Sequence, residues 1–201
     1  MKKLSVTMSV LAAIILFAAM PVSAQVPQPA TEPLTAGELR EKYVDKMDLK
    51  PEKVLGFFHT SMEGSTDERI HNIKKAMKKM NGTKLAPHAV FSYNETIGNS
   101  NIAEDGWEKA GVIAGGQLTE GYGGGICQVS STLYNAAEEA GMTVLERHAH
   151  SKTVGYVPAG MDATVAYGYL DFRFANPYDF PVKIKAKTYG DKHVVVAIVR
   201  A

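Results

Sequence analysis

The residues most able to do chemistry in this chain are a single thiol, two imidazoles one residue apart, and two carboxylates downstream of them. Cys127 follows Gly123-Gly124-Gly125 by two positions and opens a segment in which Val129, Leu133, Ala136, Ala137 and Ala140 recur on one face of a helix ended by Gly141. Consecutive glycines permit positive φ and let a substrate approach the backbone closely. A helix beginning near Cys127 turns its unsatisfied N–H groups toward the thiol, and the positive end of its dipole favours thiolate. The same N–H groups can hold a developing oxyanion. Such a nucleophile suits acyl transfer or amide hydrolysis. Gly123, Gly124, Gly125, Gln128, Ser130 and Tyr167 are the candidate substrate contacts around it.

A thiol nucleophile needs a base, and the base needs an orienter. In a strand, His148 and His150 project from one face together with Glu146, because side chains alternate with a period of two. Asp162 and Asp171 follow, and either can orient an imidazole as the third member of a triad. The sequence leaves both choices open. The order cysteine, histidine, aspartate resembles that of transglutaminase-like enzymes, and a cysteine starting a helix packed on a sheet resembles the nucleophile placement of papain-like folds.

The same residues support other readings. A lone cysteine is a buried bystander, half of an intermolecular bridge, or a reactive thiol; burial is its default, because free cysteine is among the most buried residue types. Cys127, His148, His150 and Asp162 are also possible zinc ligands, and three of them plus a water would make a hydrolytic site. Against that, His-x-His is the only local ligand cluster and no His-Glu-x-x-His helix is present. A third reading has no turnover at all. A cleft beside the glycines would bind wall peptide or glycan, with Trp107, Tyr122, Tyr134, Tyr156 and Tyr167 as stacking surfaces, although aromatic residues are more often core than platform. None of the favoured chemistry calls for a cofactor.

These residues need elements to position them. Leu39, Tyr43 and Met47 at four-residue spacing predict a short helix over 38–47, and Val54 to His59 has the composition of an edge strand. Ser65 with Glu68 has the form of a capping box for a helix whose stripe is Ile70, Ile73, Met77 and Met80, stopped by Asn81-Gly82. Lys74, Lys75, Lys78 and Lys79 on that helix read as a solvated face, with docking onto anionic wall polymer as the alternative. Val112 to Leu118 predicts a tight hairpin turning at Gly115-Gly116. Thr143 to Ser151 and Thr164 to Ala175 read as two strands. Val182, Ile184 and Ala186, alternating with lysines, turn through Gly190-Asp191 into Val194 to Val199. The expectation is an α+β domain: an antiparallel sheet with the cysteine-bearing helix packed on it.

Lys2-Lys3, an apolar run from Val10 to Met20 and Val22-Ser23-Ala24 predict a signal peptide over 1–24, cleaved before Gln25, and hence a secreted, envelope-associated protein. The apolar run is shorter than the roughly 18 residues that read as a spanning helix, so no transmembrane segment is expected after cleavage. Residues 25–53 are read as a proline-rich tether and short helix, and 54–201 as the domain. The formal net charge is +1 with 22 basic and 21 acidic residues. Loss of Lys2 and Lys3 makes it −1, and nothing in that balance asks for nucleic acid.

FSYNETIG (Phe91 to Gly98), GGGICQVSSTLYNA (Gly123 to Ala136), ERHAHS (Glu146 to Ser151) and DATVAYGYLDFRFAN (Asp162 to Asn176), in that order and spacing, resemble the VanW family. The resemblance covers roughly Val54 to Lys187. It departs at Asn99-Ser100-Asn101, where proline and arginine are commoner, and at Ala149, where proline is commoner between the histidines. It implies an exported, wall-associated protein, and the reading adopted is that it acts on the cell wall or its precursors, with wall peptide or glycan as partner. The mechanism has to come from the residues.

Overall fold

The computed structural model describes residues 35–201; the expected signal peptide and the tether through residue 34 lie outside the described residues. The chain runs α1 (Ala36–Lys46), β1 (Val54–Ser61), α2 (Asp67–Met80), β2 (Lys84–Leu85), β3 (Val90–Ser92) and α3 (Tyr93–Ile97). It continues through β4 (Lys109–Ala114), β5 (Gln117–Tyr122), α4 (Ile126–Glu139), β6 (Thr143–Glu146), β7 (Arg173–Ala175), β8 (Val182–Tyr189) and β9 (His193–Arg200). The strands form a four-stranded sheet in the order β1-β9-β8-β2, a three-stranded sheet β3-β7-β6 and the hairpin β4-β5, all antiparallel. The fold is therefore α+β with antiparallel sheets. Among the described residues no helix is long and apolar enough to cross a membrane.

Burial on both faces explains the sequence of β9. Val194, Val196 and Ile198 join the main core beneath α2 and α4, while Val195, Ala197 and Val199 meet Tyr43, Val44 and Phe57 beneath α1. An unbroken valine-rich run suits a strand covered on both sides. Strand β8 keeps the alternating pattern, with Val182, Ile184 and Ala186 inward and lysines between them. Helix α1, read from sequence as part of the segment before the domain, thus packs on the sheet. Thr35 caps it through a box with Glu38.

Helix α4 crosses β1 so closely that no Cβ fits at Gly56, which lies against the Ala136 carbonyl and Ala140. Its core face, Val129, Leu133, Ala136 and Ala137, is fully buried. Truncating Leu133 to alanine there would cost about 2–5 kcal/mol. That packing fixes the helix start, where the chemistry lies.

Three expectations need correction. The N-cap of α2 is Thr66, whose hydroxyl accepts from the Arg69 N–H, rather than Ser65. The strand expected over 143–151 stops at Glu146, and beyond it only His148 bridges to Thr164. The strand expected over 164–175 is regular only from Arg173. Alternation alone could not show that residues 147–172 turn inward as loop, because their main-chain groups bond to buried side chains: Ser131 takes the Ala163 N–H and Asp162 the His150 N–H. The predicted hairpin is present, and Gly115 (φ 56°) and Gly116 (φ 73°) form its turn. Both positive angles match the primed turn whose twist suits paired strands.

Candidate active site

Gly125, left-handed at φ 109°, caps α4, so Cys127 falls in the first turn of the helix. Ile126 N–H donates to Gly123 O and Gln128 N–H to Gly125 O, each at about 3 Å. The Cys127 N–H has no acceptor among the described residues and remains a donor beside the thiol. Tyr93, fully buried, ties the start of the helix down by donating from its hydroxyl to Ile126 O at 3.1 Å. The half-buried Cys127 Sγ lies 3.7 Å from Thr164 Oγ1 and 3.5 Å from Val165 O.

His150 is the imidazole that the structure brings to the thiol. Both side chains line one cleft and His150 acts on the charge of the thiol, while the hydrogen-bond partners of Sγ itself are Thr164 and the Val165 carbonyl. The imidazole Nδ1 is held by Asp162 Oδ2 at 2.6 Å, and the same oxygen accepts the His150 N–H at 2.6 Å. Nε2 lies 3.4 Å from the Tyr156 hydroxyl. Asp162 is held in turn by Arg147, whose Nη2 donates to Oδ1 at 3.0 Å and whose Nε donates to the Asp162 carbonyl at 2.6 Å. The His150 side chain is 5% exposed and that of Asp162 10%, so this chain of contacts works out of bulk water.

The electrostatics follow from that order. Burial pushes the Cys127 thiol up, but the hydrogen bond and charge of His150, helped by Thr164, leave it below its ordinary value. Burial pushes His150 down, and Cys127 and Asp162 more than reverse this, so it stands above the ordinary histidine value. Burial raises Asp162, yet its bonds from His150 hold it below the usual carboxylate range. A thiol lowered and a neighbouring imidazole raised, each acting on the other, favour the thiolate–imidazolium pair.

The other candidates lie elsewhere. His148 Nε2 bonds Glu146 Oε1 at 3.0 Å rather than the thiol. Asp171 accepts from Ser92 Oγ at 2.5 Å and from the Asn94 N–H at 2.9 Å, which makes it a clamp on the start of α3, not an orienter of either histidine. Ser130 is buried, bonded to the carbonyls of Cys127 and Ala163. Gly124 packs where a Cβ would overlap the Ala110 backbone, so its glycine is required by protein contact rather than by a substrate. Tyr167 borders a separate hollow of about 470 Å³ with Glu146, Tyr169 and Arg173.

Cys127 and His150 open on a cleft of about 740 Å³, also lined by Gly123, Gly125, Gln128 and Tyr156. One wall is the β4-β5 hairpin, which carries the 77% exposed Leu118, and its Gly116 lies near Ser151. Among the described residues no group of three or more His, Cys, Asp or Glu side chains is placed to hold a metal ion, and Asp162 is already spent on His150 and Arg147. Sequence reasoning missed Arg69, Arg147 and Thr164. Arg69 sits at the start of an ordinary amphipathic helix, so nothing local singles it out; Arg147 carried a signal, standing beside His148 within ERHAHS.

A family model described as VanW like protein matches residues 68–199. The chain is 43% identical over 141 residues to Uncharacterized protein YoaR of Bacillus subtilis (strain 168), an alignment covering 70% of this chain and 46% of that protein. It is 29% identical over 135 residues to Vancomycin B-type resistance protein VanW of Enterococcus faecalis (strain ATCC 700802 / V583), covering 64% and 48%. The chain spans about half the length of the curated relatives it matches. No solved structure matches it, and the expected papain-like or transglutaminase-like arrangement is not shown.

Proposed function

The chain belongs to the VanW-like family, and from that premise we propose that its domain is a cysteine-dependent acyltransferase or amidase acting outside the cytoplasmic membrane on peptidoglycan peptide or its precursors. One observation carries the reading: a first-turn thiol and His150, whose Nδ1 is fixed by the buried Asp162, line one cleft large enough for a peptide. The signal-peptide pattern of residues 1–24 and the name of the enterococcal relative, which concerns vancomycin resistance, support a wall-directed substrate.

In the acylation step the Cys127 thiolate attacks the amide carbonyl, forming the S–C bond, with the Cys127 N–H set to receive the oxyanion. The C–N bond then breaks, and the imidazolium of His150 gives its proton to the departing amine. Water or an acceptor amine attacks the thioester as His150 takes its proton, releasing the acid or new amide and restoring the thiolate. The order cysteine, histidine, aspartate is similar to that of transglutaminase-like enzymes.

The test is the thiol itself. Iodoacetamide at pH 6 is expected to label folded protein faster than the same chain in urea, and C127A to lose wall-directed activity while keeping its thermal melt. A thiol that reacts only after unfolding would sink the nucleophile. The non-catalytic wall-binding reading would then gain, with Tyr169, 87% exposed beside the second hollow, as its best surface.

A further inference from the structure

Arg69 is the group in the cleft that the acyl-transfer chemistry leaves unused. It is half-buried in the first turn of α2 and lines the same cleft as Cys127 and His150. Its Nη2 donates to Gln128 Oε1 at 2.9 Å. Among the described residues nothing else accepts from its guanidinium, and no carboxylate stands within ion-pair distance. Glu120, on the hairpin wall, does not pair with it. Burial pulls Arg69 below its ordinary value, against the opposing influence of Tyr156 and Cys127. A cation partly withdrawn from water with no carboxylate partner, and only the Cys127 thiolate as an anion in the same cleft, is costly, and a ligand carboxylate would offset that cost.

The surroundings hold it in place. Gln128 Nε2 donates to Ser61 O at 2.8 Å and to Thr60 Oγ1 at 3.1 Å, which turns the amide so that Oε1 faces Arg69. A Cβ at Gly125 would stand 3.1 Å from Arg69 Cγ, so the glycine leaves room for the arginine stem. Thus Gln128, expected from sequence to touch substrate, spends its amide on positioning Arg69.

We infer that Arg69 is a carboxylate anchor: the cleft takes an acyl substrate carrying a free carboxylate close to the scissile amide, gripped by the guanidinium while Cys127 attacks. The inference rests on the thiol reading above. The guanidinium fork matches a carboxylate with two parallel bonds, which a lysine does not reproduce. It therefore selects as well as attracts.

Two alkylating probes separate anchor from nucleophile. Iodoacetate carries a carboxylate and iodoacetamide does not, and Cys127 is the single cysteine to react with either. The rate ratio of iodoacetate to iodoacetamide is expected to exceed that of the urea-unfolded chain by roughly tenfold or more. R69Q should return it to the unfolded value. Q128E, which gives the guanidinium an internal carboxylate, should do the same and serves if R69Q does not fold. Because the ratio cancels the thiolate fraction, slow reaction with iodoacetamide counts against the nucleophile and not against the anchor. A ratio no higher in the folded wild type than in urea, or unchanged in the variants, overturns the anchor; a folded thiol inert to both probes overturns anchor and nucleophile together.

Discussion

His150 and the His59–His193 pair show how opposite surroundings set the same side chain to opposite ends. His59 Nε2 and His193 Nδ1 lie 3.2 Å apart on β1 and β9, beneath the ring of Tyr43 from α1. Among the described residues neither has a carboxylate within ion-pair distance. Burial and the His193 charge pull His59 down; burial and the charge of Lys42 pull His193 down. His150 is buried too, yet Cys127 and Asp162 hold it up. Burial beside other cationic groups therefore favours a neutral packing histidine, whereas a bonded carboxylate with a nearby thiol raises the same residue, as the proposed proton carrier requires.

Removing the imidazole is the largest expected break. H150A leaves the Cys127 thiol with its burial and without its main opposing partner, so the thiol pKa rises and iodoacetamide labelling at pH 6 falls by roughly a hundredfold or more. H59Q should leave that labelling within about twofold, since the pair under α1 does not touch the thiol. Equal effects of the two variants would erase the distinction.

The carboxylate comes next. D162N keeps the shape but offers Nδ1 no anion, and labelling at pH 6 should fall on the order of tenfold, less than in H150A because the imidazole remains. It should also cost about 1–3 kcal/mol in urea unfolding, since Arg147 and the His150 N–H lose a charged acceptor. Asp162 is depressed in the folded state, so its contribution is complete above the unfolded value of roughly 3.9 and is lost as pH falls through the lower folded value. Stability lost without any change in labelling would make Asp162 a structural residue only.

The packing pair has its own pH signature. His59 and His193 are lowered in the folded state, so as pH falls below the unfolded value of roughly 6.5 the unfolded chain takes up protons that the folded chain refuses. Stability should drop from about pH 6.5 toward the folded values, and H193Q should flatten that limb of the melting curve. A limb unchanged in H193Q would assign the acid loss to other groups.

What could be read in advance depended on periodicity. The stripes of α2 and α4, the Gly115-Gly116 turn and the β8-β9 meander each repeat a local pattern, and each is present in the structure. Within residues 147–172 the alternation read as strand misleads, because their conformation is set by partners far along the chain, such as Asn135, which bonds Met161 O. For that reason Cys127, His150 and Asp162 were legible as candidates by type and order, while the choice between the two histidines was not. Arg69 was invisible for the same cause: that no carboxylate among the described residues pairs with it is a property of space rather than of sequence.

The smallest expected effect is the one that decides that choice. A continuous strand through Ser151 would place His148 and His150 on one face, and both would then report on the thiol. The strand instead ends at Glu146, and His148 bonds the Glu146 carboxylate in a pair whose side chains are 38% and 32% exposed. Pairs this accessible contribute about 0–1 kcal/mol. H148A should therefore shift the urea midpoint only slightly and leave the pH 6 labelling rate of Cys127 within about twofold of the wild type. If it slowed labelling as much as H150A, residues 147–150 would have to present both imidazoles to the cleft, and the assignment of His150 as the single base would fall.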